Sequence, residues 1–177
     1  LCVSTLGYQK NHFNLLDAAE KLWREGTEFR LELIGKADPT WSSRVITRID
    51  ELKASGRNLS WLRHVDDETL ADCYAQAAFT IYPSRYEGFG LPILESIAHG
   101  KPCICGANGA IGEVSSGGGC LQVDQNDVES LTAGIRNLLE DENLIHKLRD
   151  QALQRELGSW EGYAKRFLER FGEISRD

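Results

Sequence analysis

The sequence predicts an α/β domain: a doubly wound, Rossmann-like parallel sheet of about six strands with helices on both faces. Three observations lead there. Short apolar runs alternate with longer stretches of helical period, the pattern of a parallel sheet buried on both sides. The 177 residues fit one domain and can bury a sizeable core without staples. One strand runs through a glycine-bearing loop straight into a helix, the junction at which open sheets of this kind bind ligands.

The elements follow in order. The first strand is Leu1 to Leu6, and the helix near Asn11 to Glu25 carries Phe13, Leu16, Ala19 and Leu22 at helical spacing, with Gly26 ending it. Phe29 to Ile34 is a strand, Ser42 to Ala54 a helix and Leu59 to Leu62 a strand. Asp67 to Ala75 is a helix opening on acidic residues that suit its N-terminus, and Phe79 to Tyr82 is the fourth strand. Pro92 to His99 is a short helix, Cys103 to Cys105 a strand and Gly119 to Val123 the last strand. Helices from about Val128, Asn143 and Trp160 fill the C-terminal third.

Composition narrows the function. With 27 acidic against 20 basic residues and a net charge of -7, the surface repels a phosphate backbone, which argues against nucleic acid as a partner. No run of about 18 apolar residues offers a membrane span, and Leu1 to Gly7 lack the features of a signal peptide. The five cysteines are odd in number and lie mostly in apolar stretches, which reads as reduced thiols of a cytoplasmic protein. The chain opens on a core strand and shows no Pro-, Gly- or Ser-rich linker, so it reads as a single domain, 1–177, that is half of a larger molecule.

The chemistry concentrates after the fourth strand, in Pro83-Ser84-Arg85-Tyr86-Glu87-Gly88-Phe89-Gly90-Leu91-Pro92-Ile93-Leu94-Glu95. Gly88 and Gly90 let backbone N–H groups approach a ligand, and Pro92 at the helix start leaves first-turn N–H groups aimed at the loop, an arrangement that attracts phosphate. Ile93, Leu94, Ile97 and Ala98 form the apolar face of that helix, so Glu95 and His99 point toward the loop side or solvent. Glu87 and Glu95, eight apart, then bracket a phosphate site with carboxylates that accept pairs of sugar hydroxyls. Taken alone, two such glutamates are as readily a solvated loop residue and a helix-dipole partner.

The pattern Pro83-Ser84, Glu87-Gly88-Phe89-Gly90-Leu91-Pro92 and Glu95 resembles the E-x7-E signature of retaining GT-B glycosyltransferases of the family 4 type. Lys10-Asn11, Val65 to Leu70, Gly100-Lys101-Pro102, Gly112-Glu113-Val114 and Trp160 also fall where that family has similar residues, so the likeness spans its C-terminal domain. The resemblance implies transfer of a hexose, mannose among the candidates, from a nucleoside diphosphate sugar to a glycan or lipid-linked acceptor with retention. It implies that Glu87 contacts donor-sugar hydroxyls, that N–H groups of Gly88, Phe89, Gly90 and Leu91 hold sugar and diphosphate, and that Glu95 binds the ribose diol. Lys10 would neutralise the leaving diphosphate, making Glu87 and Lys10 the catalytic pair, while the base would lie against Arg63-His64-Val65.

A partner domain is implied too, a missing N-terminal Rossmann-like half that holds the acceptor. Any peripheral attachment to the inner face of a membrane would run through that half. The last helix, about 160–172, would reach across to it with Tyr163, Phe167, Leu168 and Phe171.

One position departs from the family, which often has Gly-Arg where this chain has Ser4-Thr5. Thr5 can donate to phosphate but carries no charge, a loss of roughly 1.5 to 3 kcal/mol that Arg85 is the candidate to make good. The departure keeps open an alternative, a nucleotide-sugar-binding module or partner subunit without catalysis. No cofactor or metal is expected, because lysine and helix-end N–H groups can stabilise a diphosphate leaving group. Asp66-Asp67 reads as a helix start and Cys103 with Cys105 as core. The loop Gly106 to Gly112 imitates a dinucleotide fingerprint, but Ser115 to Gly119 breaks any helix long enough to complete one.

Overall fold

The computed structural model describes residues 1–158 together with Gly162, Ala164, Lys165 and Leu168. The helix expected over about 160–172 falls outside the described residues but for those four.

Among the described residues six strands, β1 (Cys2–Val3), β2 (Leu31–Ile34), β3 (Leu59–Leu62), β4 (Thr80–Tyr82), β5 (Cys103–Cys105) and β6 (Cys120–Gln122), are all paired in parallel. They form two ladders, β1-β2-β3 and β4-β5-β6. The ladders meet at β1 and β4, where the Ile81 N–H donates to the Leu1 carbonyl at 2.8 Å and the Leu1 amine to the Phe79 carbonyl at 3.2 Å. Across that seam the order is β3-β2-β1-β4-β5-β6, the doubly wound order whose switch point lies between β1 and β4. β1 and β2 are shorter than their apolar runs. The chain beyond Val3 leaves the ladder for a loop at the carboxyl edge of the sheet, returning for one bridge between Leu6 and Ala37.

The helices are α1 (His12–Arg24), α2 (Ser43–Ala54), α3 (Asp67–Gln76), α4 (Leu91–Ala98), α5 (Gly109–Ser115), α6 (Val128–Glu140) and α7 (Glu142–Gln154). α1 ends at Gly26 as expected: Gly26 has φ +92°, and the Thr27 N–H returns to the Leu22 carbonyl at 3.0 Å. α5 stops at Ser115, two residues before the run Gly117-Gly118-Gly119, too short to complete a dinucleotide site.

Two apolar clusters mark the two faces of the sheet. Ile81 and Ile104 join Leu15, Leu16, Ala19 and Leu22 of α1 with Leu131 and Ile135 of α6. Their strand neighbours Tyr82, Cys103 and Cys105 point the other way, onto Ile93 of α4 and Ile111 of α5. Successive residues of a strand alternate sides, so both being buried is what a sheet covered on each face requires. Cys103 and Cys105 are fully buried core residues, as read from the sequence. On α4 the apolar face differs in one place. Ala98 is exposed, and the buried position is taken by Ser96, whose hydroxyl bonds Thr80 Oγ1 at 2.6 Å and donates to the Lys101 carbonyl at 2.9 Å.

Candidate functional site

The carboxyl ends of β1, β3 and β4 deliver three loops to one edge of the sheet. After β1 the chain makes a one-turn 3-10 helix, Tyr8–Lys10, and enters α1 through Asn11, whose backbone is left-handed at φ +55°. Asn11 is buried and ties this corner together: its Nδ2 donates to the Gln125 carbonyl at 2.5 Å, and its Oδ1 accepts from Arg85 at 2.9 Å. The Arg85 N–H donates to the Gln9 carbonyl at 2.8 Å, so the loop after β4 is laced to the loop after β1.

That lacing brings Lys10 to Glu87. The Lys10 ammonium pairs with Glu87 Oε1 and donates to the Tyr82 hydroxyl at 3.1 Å, while Ser84 Oγ donates to the same Glu87 oxygen. Burial pushes the Glu87 carboxyl up, but hydrogen bonds from Lys10, Ser84 and Tyr82 outweigh it and hold it below the ordinary value. The Tyr82 phenol is pushed up by burial and by the Glu87 charge, so it stays protonated as a donor.

A cavity of about 390 Å³ opens over this pair, lined by Ser4, Thr5, Lys10, Tyr82, Glu87 and Phe89 to Pro92. The N–H groups of Gly88, Phe89, Gly90 and Leu91 donate to no other described residue. Gly90 caps α4 with a left-handed backbone, φ +100°, and Pro92 brings no N–H of its own. Unpaired donors at a helix start beside an ammonium group are what an anionic, oxygen-rich ligand needs.

A second cavity of about 250 Å³ shares Ser4 and Thr5 and runs toward Arg63, His64 and Val65 at the end of β3, with Lys36 on its rim. Its floor depends on Gly35, φ +144°, where a Cβ would stand 2.1 Å from the Ser4 carbonyl oxygen. Only glycine lets the two loops lie this close. Behind the loop, burial lowers His12 to about 3, so its ring is neutral. Its Nε2 lies 3.1 Å from Ser4 Oγ.

The structure therefore gathers Thr5, Lys10, Glu87, Phe89, Gly90 and Leu91 in one cavity and sets His64 and Val65 in its neighbour. Three expected residues stand apart, the first being Gly88, which lines neither cavity. Arg85 does not supply the charge that Thr5 lacks, since its guanidinium is held by Asn11 and lies 5.0 Å over the Tyr8 ring. Glu95 is exposed and lines none of these cavities, accepting instead from Tyr74 of α3 at 3.3 Å. Asp66 caps α3, accepting from the Thr69 N–H at 2.8 Å, as read from the sequence. Sequence reasoning missed Gly35, Tyr82, Ser84 as a Glu87 partner, and the cation Lys36; Arg63, expected in the base loop, lines the second cavity. Gly35 had a legible signal, a glycine closing an apolar strand at its carboxyl end. The others depend on tertiary placement.

Fold and site define a class: a doubly wound domain whose sheet edge gathers a lysine, a carboxylate and free loop N–H groups around one cavity. The chain belongs to the glycosyl transferases group 1 family, whose model matches residues 1–155. It is 36% identical over 143 residues to O-antigen chain mannosyltransferase B of Escherichia coli, a match covering 81% of this chain and 37% of that protein. It is 32% identical over 158 residues to the MMP alpha-(1->4)-mannosyltransferase of Mycolicibacterium hassiacum, covering 85% of this chain and 37% of that protein. The chain thus spans little more than a third of these relatives. The crystal structure of the C-terminal domain of a glycosyl transferase group 1 family protein from Francisella tularensis shares the fold, with a TM-score of 0.74 at 19% identity over 85% of this chain and 80% of that one. Among the described residues no helix is long and apolar enough to cross a membrane.

Proposed function

We propose that this chain is the donor-binding half of a retaining hexosyltransferase that moves a hexose, with mannose the leading candidate, from a nucleoside diphosphate sugar to a glycan or lipid-linked acceptor. The observation that carries the reading is the meeting of Lys10 and Glu87 beneath one cavity, beside the unpaired N–H groups of Gly88 to Leu91. Mannosyltransferases among the relatives support the choice of sugar.

In this reading Glu87 accepts hydroxyls of the donor sugar, and Lys10 with the loop N–H groups holds the diphosphate. The acceptor oxygen bonds to the anomeric carbon on the face the diphosphate leaves. The electron pair of the broken carbon–oxygen bond departs with the nucleoside diphosphate, which also takes the acceptor proton. Lys10 and the N–H groups stabilise the growing negative charge without a divalent metal. Glu95 holds the ribose diol after releasing Tyr74, and the base lies against His64 and Val65. A second domain completes the cleft and carries most of the acceptor, and the enzyme works in the cytoplasm, at the inner membrane face where the acceptor is lipid-linked.

Calorimetric titration with nucleoside diphosphate hexoses tests this. Binding abolished by Glu95→Ala supports the site; undiminished affinity refutes the assignment of Glu95. The alternative, a binding module without turnover, has Thr5 and the captive Arg85 in its favour. Joined to its partner domain, a protein that binds donor but transfers to no acceptor would establish that alternative.

A further inference from the structure

A third cavity, of about 380 Å³, adjoins the Lys10–Glu87 cavity and shares Thr5 and Lys10 with it. Its size falls within the range of ligand pockets, roughly 300 to 1,000 Å³. Three of its walls are aromatic: Tyr8, Trp41 and Tyr86 are 61%, 62% and 61% exposed. Aromatic rings this exposed, drawn from three separate loops and gathered round one hollow, mark a binding surface rather than a core edge.

Two of the rings meet, and one of them is backed by a cation. Tyr8 is backed by the Arg85 guanidinium, and its centroid lies 6.1 Å from that of Trp41 at an interplanar angle of 50°. Asp38 fixes the main chain that carries Trp41: its Oδ1 accepts the backbone N–H of Trp41 at 2.9 Å and of Thr40 at 2.8 Å. Asp38 also lines the cavity, and its second carboxylate oxygen accepts from no other described residue. Gln9 adds an amide to the same wall.

From this geometry we propose that the hollow is a sugar subsite, taking a pyranose ring of the acceptor glycan. The inference rests on the donor reading above. A pyranose presents C–H groups on one face and hydroxyls at its rim. Tyr8, Trp41 and Tyr86 supply flat apolar faces, and Asp38 and Gln9 supply acceptors and donors at the edge. Its position beside Lys10 sets a bound ring next to the donor-sugar cavity, where an acceptor hydroxyl must arrive. A nucleobase also stacks on aromatic rings, but the hollow beside His64 and Val65 is available to it, so the aromatic cavity is assigned to sugar.

The test is saturation-transfer NMR on this chain, with the aromatic protons irradiated and methyl α-D-mannopyranoside or a linear α-linked mannotriose as probe, alongside titration with a nucleoside diphosphate. The expected result is transfer to sugar ring protons, with affinity falling about tenfold or more in Trp41→Ala and in Tyr86→Ala, and unchanged affinity for the nucleoside diphosphate. Both side chains are exposed, so the variants should keep the parent circular dichroism. Absence of transfer in the parent chain, or transfer that survives both substitutions, overturns the subsite. Loss of nucleoside diphosphate binding in Trp41→Ala overturns it in favour of a base site. Failure of the donor reading would instead show as nucleoside diphosphate affinity indifferent to Lys10→Met, which the sugar probe does not report.

Discussion

Glu87→Gln separates what the Glu87 carboxylate does for the fold from what it does for the ligand. The substitution keeps an oxygen that Ser84 and Lys10 can both donate to, and the shape of the side chain, but removes the negative charge that pairs with the Lys10 ammonium. A charge-assisted hydrogen bond contributes about 1.5 to 3 kcal/mol against about 0.5 to 1.5 for a neutral one. Side-chain exposures of 19% for Lys10 and 13% for Glu87 admit enough solvent to keep the net loss near the low end, about 1 kcal/mol. For a chain of this size that lowers Tm by about 2 to 4 °C.

The pH dependence carries the sign. Glu87 has its folded pKa depressed, so its contribution is complete above the unfolded value of about 4.3 and disappears as pH falls through the lower folded value. The Tm gap between parent and variant should be full at pH 7 and close below about pH 4. Ligand binding should split as well. With the Lys10 charge no longer neutralised, affinity for a nucleoside diphosphate should hold or rise, while the added affinity for its hexose conjugate disappears. Differential scanning calorimetry across pH and parallel titrations with both ligands measure this. A gap independent of pH, or equal losses for both ligands, would refute the role given to Glu87.

Lys10→Met should weaken nucleoside diphosphate binding roughly ten- to a hundredfold, the worth of one charge-assisted contact. It should also flatten the salt dependence seen by calorimetry at two ionic strengths. Gly35→Ala should destabilise the chain by at least about 3 kcal/mol in urea unfolding, because the new Cβ meets the Ser4 carbonyl at 2.1 Å on a left-handed backbone. A loss under about 0.5 kcal/mol would mean that the two loops do not lie as described.

The fold was legible because its elements are locally consistent. Strand runs such as Cys103 to Cys105 are apolar throughout, and helix ends such as Gly26 and Asp66 carry their own capping chemistry. The loop of Glu87 to Pro92 was legible for the same reason, since glycine, proline and carboxylate spacing is a local property. What escaped depends on pairs far apart in sequence. That Arg85 is spent on Asn11 and Tyr8 follows from where α1 begins in space, and no spacing within the chain announces it. Tyr8, Trp41 and Tyr86 read as three unrelated surface aromatics until the sheet edge brings them to one hollow.

Asn11 shows why the site sits where it does. A left-handed residue at a helix entry is strained unless the surroundings fix it, and here Arg85 and the Gln125 carbonyl do so from the loops after β4 and β6. Gln125 in turn presses on Gly106, where a Cβ would stand 2.4 Å from its Oε1, so the loop after β5 is held as well. One buried polar side chain thereby couples the loops that follow four strands on both sides of the switch point between β1 and β4. Lys10 is the residue before Asn11 and Glu87 lies two beyond Arg85, so the same bonds that satisfy Asn11 set the distance across the ion pair. The spacing of the pair is thus a property of the fold, fixed before anything binds there.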